Sequence, residues 1–134
     1  MADSLVGRVV GVGVEEEGVA VPSIADIGLR VKTPAMLLIV GTFRLPPGNV
    51  AAARPIMARM IEASRAEEGC LDYTYAEDAL EPGLFRVIEL WTDQTALDRH
   101  FATQHMKDWR GTWPELGITE RDLQAFDVGE PRAI

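Results

Sequence analysis

The sequence predicts an α+β domain with the element order β-α-β-β-α-β, and three observations carry that prediction. Met36–Arg44 (MLLIVGTFR) is a run of β-branched, aliphatic and aromatic residues closed by Leu45-Pro46-Pro47-Gly48, where neither proline can donate to a strand ladder. Asn49 to Glu67 repeats apolar residues at helical spacing and is followed by Gly69. Phe85–His105 (FRVIELWTDQTALDRHFATQH) reads as a strand, a two-residue turn and a helix.

Residues 1 to 35 differ from the rest of the chain. Leu5 to Val21 is rich in Gly and Val, and EEEG (Glu15 to Gly18) could turn a hairpin between RVVGVGV and VAV. The glycines weaken both strands and no aromatic residue anchors them. The segment reads as an N-terminal extension: an arm packed on the domain or its partner, a mobile arm, or upstream sequence foreign to a domain that begins at Met36.

The first strand, Met36–Arg44, carries apolar residues on both faces, as a central strand does. Asn49 can cap the helix that runs to about Glu67. Met57, Met60, Ile61 and Ser64 form its inner stripe, with Arg59, Glu62, Arg65 and Glu67 outside. Pro55 either places the helix start near Arg54 or kinks the helix. Cys70–Glu77 is the second strand, with Leu71, Tyr73 and Tyr75 on one face. Asp78–Gly83 (DALEPG) is a hairpin loop into the third strand, Leu84–Thr92. There Phe85, Val87, Glu89 and Trp91 share one face, and Leu84, Arg86, Ile88 and Leu90 the other. Thr92 or Asp93 caps the second helix, Asp93 to Ala102, on which Ala96, Leu97, His100 and Phe101 recur at helical spacing. A shorter helical segment, Thr103–Trp113, carries His105, Met106, Trp109 and Trp113 and stops at Pro114. Leu123–Val128 is the last strand. This is the split βαβ order of a ferredoxin-like fold. Two helices cover one face of the sheet. The apolar residues on the other (Leu38, Val40, Ile88, Leu90) call for a partner, most economically a second copy of the chain.

Composition narrows the function classes. Hydrophobic residues make up 47% and charged residues 25%, ordinary for a globular protein. A net charge of -8 disfavours nucleic acid and anionic membrane surfaces as partners. No apolar run approaches the length of a spanning helix, and no basic region leads into an apolar core as in a secretory signal. Cys70 is the one cysteine, so neither an intrachain disulfide nor a cysteine zinc site is expected. It reads as a small core residue in a protein of the reducing cytoplasm. His100 and His105 lack the spacing of a sequence metal motif, and no metal or other cofactor is expected.

EEGCLDYTY (Glu67 to Tyr75) and FRVIELWTDQTALDRHFATQH (Phe85 to His105) match, in order and spacing, Glu-x-Gly-Cys-x-x-Tyr, Glu-x-Trp and Ala-Leu-x-x-His-x-x-x-x-His. On these motifs Met36 to Val128 resembles the antibiotic biosynthesis monooxygenase family of dimeric α+β barrels. That resemblance implies a homodimer and, in its quinol-type and polyketide-type members, oxidation by dioxygen without metal or flavin. The family also holds haem-degrading members and an isomerase of a signalling molecule. The haem-degrading branch uses a first-strand Asn, and VGTFR (Val40 to Arg44) has none.

The lead expectation is a cofactor-independent monooxygenase acting on a quinol-like or polyphenolic aromatic. His100 would be the base, since imidazole titrates near neutral pH. Glu89, a charge at a central strand position, would orient it, or else pair with Arg86 or Arg44 across the dimer. Trp91, Phe85, Tyr73, Tyr75 and Phe101 would line the pocket, with His105 and Trp109 near its mouth. His105 lies five residues beyond His100 and cannot share its face of one regular helix, so convergence would need a break near Thr103. The alternatives are a non-catalytic dimer that binds a hydrophobic metabolite, and an isomerase of a small phosphorylated signal using Arg44, Arg86 or Arg99.

Overall fold

The computed structural model describes residues 35–134, and the readings made for the N-terminal segment lie outside the described residues. The elements are β1 (Met36–Arg44), α1 (Val50–Arg65), β2 (Cys70–Glu77), β3 (Leu84–Trp91), α2 (Gln94–Phe101), α3 (Gln104–Leu116) and β4 (Thr119–Val128). They form an α+β ferredoxin-like fold with an antiparallel sheet of order β2-β3-β1-β4. The order places β1 and β3 in the centre, as their two-sided apolar sequences require.

The register aligns side chains in rows across the helix-facing side. Tyr73 pairs with Glu89 and Glu89 with Ile39, while Tyr75 pairs with Val87 and Val87 with Gly41. Against these rows pack Ala53, Met57 and Met60 of α1, Ala96 and Leu97 of α2, and Met106 and Trp109 of α3, all buried. Each large apolar side chain enclosed this way contributes about 1.5–3 kcal/mol relative to exposure. The opposite face holds Val40, Ile88 and Phe126, which are 41%, 45% and 48% exposed. No helix among the described residues is long and apolar enough to cross a membrane.

Several sequence expectations are corrected. Helix α1 starts at Val50, with Asn49 at the N-cap position, and not near Arg54; Pro55 lies inside it, where it removes one intrahelical donor. Asn49 occupies the N-cap position but makes no side-chain cap; its amide donates instead to the Leu116 carbonyl at 2.8 Å. The helix ends at Arg65, before Glu67. Leu71 is 52% exposed and does not share the face of Tyr73, because the β2–β3 register shifts between Cys70 and Asp72. Pro114 does not stop α3, which continues to Leu116 and closes on Gly117 at φ 76°, with the Gly117 N–H donating to the Trp113 carbonyl. Strand β4 begins four residues earlier than expected, at Thr119. Its segment TERD carries no apolar alternation; the ladder to β1 defines it.

Candidate active site

Two turns bring the titratable groups together. The first follows α1: Gly69, at φ +89°, reverses the chain into β2, and the Thr92 N–H donates to its carbonyl at 2.9 Å. A Cβ on Gly69 would lie 2.5 Å from Cβ of Ala96, so a side chain there would push on α2. The second turn separates α2 from α3. Asp93 caps α2 by accepting from the Ala96 N–H at 2.8 Å, and Thr103 caps α3 by accepting from the Met106 N–H at 3.4 Å. The chain breaks at Ala102-Thr103, so His105 lies in the first turn of a separate helix.

At the junction of these turns lies Glu67. Its Oε2 is 2.7 Å from Nδ1 of His100 and 2.7 Å from Nε2 of His105, and each imidazole nitrogen donates to it. His100 is fully buried, while the side chains of Glu67 and His105 are 13% and 24% exposed. With its proton on Nδ1, His100 keeps the lone pair on Nε2, which faces the Tyr73 hydroxyl at 3.4 Å. The Tyr75 hydroxyl follows 3.5 Å further on, giving a polar line from the sheet interior to the partly exposed His105. Burial lowers the His100 pKa from its ordinary value of 6.5, against the opposing pull of Glu67, so the ring is neutral at neutral pH. Burial pushes the Tyr73 phenol far upward and that of Tyr75 up to about 12, so both remain protonated.

Glu89 does not orient His100. It is buried, and its Oε1 accepts from Nε1 of Trp91 at 3.0 Å. Burial raises its pKa, and the indole hydrogen bond lowers it again in part. Within the chain Arg86 bonds Asp78 at 3.0 Å, and Arg44 pairs with Glu81 and Glu120. Arg99 donates to the Glu68 carbonyl at 3.5 Å, so all three arginines considered for an anionic substrate have contacts outside the histidine cluster.

The remaining aromatic candidates divide into two groups. Trp91 and Tyr73 surround His100, with ring centroids 4.7 and 5.3 Å from the imidazole. Phe85 stacks on Phe43 at 5.4 Å, where Tyr75 and Trp109 complete a second cluster. Phe101 lies 5.8 Å from the His100 ring but is 46% exposed, which makes it a surface flank and not an enclosed wall. Beyond Trp109, Trp113 lies under the Arg121 guanidinium at 5.3 Å, and its buried Nε1 has no hydrogen-bond partner among the described residues. Cys70 is half-buried, its thiol 3.6 Å from the Asp72 carbonyl, and burial raises its pKa to about 11.

Glu67 is the residue that helical periodicity missed, by assigning it to the outer stripe of α1. The signal was in the motif Glu-x-Gly-Cys, whose first position it fills.

Comparison with known proteins gives a consistent result. The family model described as antibiotic biosynthesis monooxygenase matches residues 36–112. A protein of Mycobacterium tuberculosis described as a candidate monooxygenase is 31% identical over 78 residues, 58% of this chain and 76% of that protein. An uncharacterized protein of Synechocystis is 26% identical over 113 residues, covering 84% of this chain and 76% of its own length. That span exceeds the described segment, so the likeness reaches into residues 1–34. Among solved structures, a candidate antibiotic biosynthesis monooxygenase from Deinococcus radiodurans superposes with a TM-score of 0.68 at 28% identity. The match covers 73% of this chain and 97% of that one.

Proposed function

Because this chain belongs to the antibiotic biosynthesis monooxygenase family, we propose that it is a cofactor-independent monooxygenase that oxidises a quinol-like or polyphenolic aromatic with dioxygen. The observation that carries the reading is the buried His100, held through Nδ1 by Glu67, with Nε2 facing the Tyr73 hydroxyl. A base so placed takes the phenolic proton of a substrate through the Tyr73 hydroxyl, and the anion left behind is rich enough in electrons to react with dioxygen. The substrate supplies the electrons: one oxygen atom enters the ring and the other leaves as water. Glu67 replaces Glu89 as the group that fixes the tautomer, and the enclosed surroundings of Trp91 and Tyr73 strengthen these interactions by excluding water. The active form in this reading is a homodimer that covers Val40, Ile88 and Phe126.

The test is a panel of hydroquinones and naphthols incubated with the protein under labelled dioxygen, with products weighed by mass spectrometry. One labelled atom per product molecule is the expected result. Aromatic binding detected by thermal shift, with no labelled product from any compound, would replace this reading with that of a metabolite-binding dimer.

A further inference from the structure

We propose that Glu67, His100 and His105 form a binding site for a divalent first-row transition metal ion such as zinc. Their ligand atoms, Oε2, Nδ1 and Nε2, all lie within 4.8 Å of one another. Two imidazole nitrogens and one carboxylate oxygen are the donor set that such ions favour over magnesium or calcium. The three ligands come from three elements, the loop after α1, the end of α2 and the start of α3, each fixed by its own cap or turn.

The present contacts are the hydrogen-bonded form of this cluster, with each nitrogen 2.7 Å from the shared oxygen. Metal–ligand bonds of about 2.0–2.2 Å in tetrahedral geometry place ligand atoms roughly 3.4 Å apart, so each nitrogen draws back from the shared oxygen by roughly 0.7 Å. His105 can make that movement, because it is partly exposed at the first turn of α3, and its exposure leaves an approach for the ion and for a water ligand. His100 brings its outer partner with it. When Nδ1 ligates, the ring proton moves to Nε2 and donates to the Tyr73 hydroxyl 3.4 Å away, the second-sphere bond that fixes a metal-bound imidazole. Among the described residues Glu67 has no Lys or Arg partner, so a dication would meet a carboxylate that no other charged side chain neutralises.

This site stands without the oxygenase reading, but it shares two residues with it, His100 and Glu67. An ion on Nδ1 holds the His100 proton on Nε2 and removes the lone pair assigned to the base. Zinc is therefore expected to inhibit the reaction, not to serve it.

The test uses untagged full-length protein stripped with chelator and titrated with zinc against a chromophoric competitor, alongside His105→Ala and Glu67→Gln. The expected result is one ion per chain in the wild type. Each variant should weaken binding by more than the roughly 10–100-fold that loss of an outer-sphere partner costs. Nitrogen-15 spectra should show coordination through Nδ1 of His100 and Nε2 of His105, a pattern that adventitious surface binding does not produce. If Glu67→Gln does not fold, His105→Ala and these spectra decide the matter. Wild-type affinity in His105→Ala, no binding in the wild type, or unperturbed His100 resonances would each overturn the proposal. None of these outcomes depends on finding a substrate.

Discussion

At the scale of single residues, two glutamates invite confusion and have opposite roles. Glu67 accepts from both histidines, so Glu67→Gln exchanges two bonds to a carboxylate for weaker ones to a neutral amide. The loss should be about 1 kcal/mol per bond, read as a lower midpoint in urea, and turnover should fall with it. Glu89 is buried with a single indole donor, and its pKa lies above the ordinary 4.5. The folded state therefore holds that proton more tightly than the unfolded chain, and the ionised carboxylate costs stability as pH rises from about 4.5 through the folded-state value. Each tenfold difference in proton affinity is worth about 1.4 kcal/mol. Glu89→Gln keeps an acceptor for Trp91 and removes the titration. The stability of this variant relative to wild type should rise between pH 4 and pH 8 in paired denaturation curves; a constant difference would refute the assignment. The sequence made His100 legible because its spacing from Ala96 and Leu97 marks one helix face. It misassigned Glu67 because helical periodicity was carried past Arg65, where the helix ends and side-chain direction no longer repeats every 3.6 residues. It misassigned Glu89 because strand parity gives a shared face but not which neighbour on that face is bonded.

At the scale of elements, the site depends on where helices stop. The break at Ala102-Thr103, capped by the Thr103 hydroxyl, lets His105 meet Glu67; one continuous helix would point it away from His100. Gly69 is the corresponding joint below the cluster. Gly69→Ala combines a positive φ with a Cβ placed 2.5 Å from that of Ala96. Its expected cost is roughly 1–3 kcal/mol, and the displaced α2 should carry His100 off Glu67. Thermal denaturation measures the first effect and the His100 ring proton resonance the second. An unchanged melting temperature would show that α2 is not held by this turn. Such joints are only partly readable in the sequence. Asp93 is one of two possible caps there, and a break near Thr103 is a condition and not a conclusion, because cap residues also occur in loops. Strand β4 reads short for a related reason: its residues are mostly exposed, so burial leaves no alternating pattern, and its pairing with β1 is a long-range fact.

At the scale of the whole molecule, the order of elements was legible because β2, β3 and the helices are patterned and β1 is an apolar run closed by two prolines, whereas the strand order β2-β3-β1-β4 comes from the ladders. The unpartnered sheet face was legible for the same reason. Val40, Ile88 and Phe126 form an apolar surface that a monomer would leave in water. Replacing Ile88 by Glu puts a charge on that face; the wild type is expected to elute as a dimer and the variant as a monomer. A wild-type monomer at micromolar concentration would remove the homodimer from the proposed function.

If the buried His100 is the base of an oxidation driven by dioxygen, its basic nitrogen is what turnover depends on. The most direct measurement is dioxygen uptake by chelator-treated protein with its best hydroquinone or naphthol, comparing wild type with His100→Asn and His100→Ala. Asn retains a donor for Glu67 but has no basic nitrogen, so it separates loss of the base from loss of the fold. Saturable uptake is expected in the wild type, with a fall of roughly 100-fold or more in both folded variants, the scale of general-base catalysis. Uptake that survives unchanged in His100→Asn would contradict a base at this position.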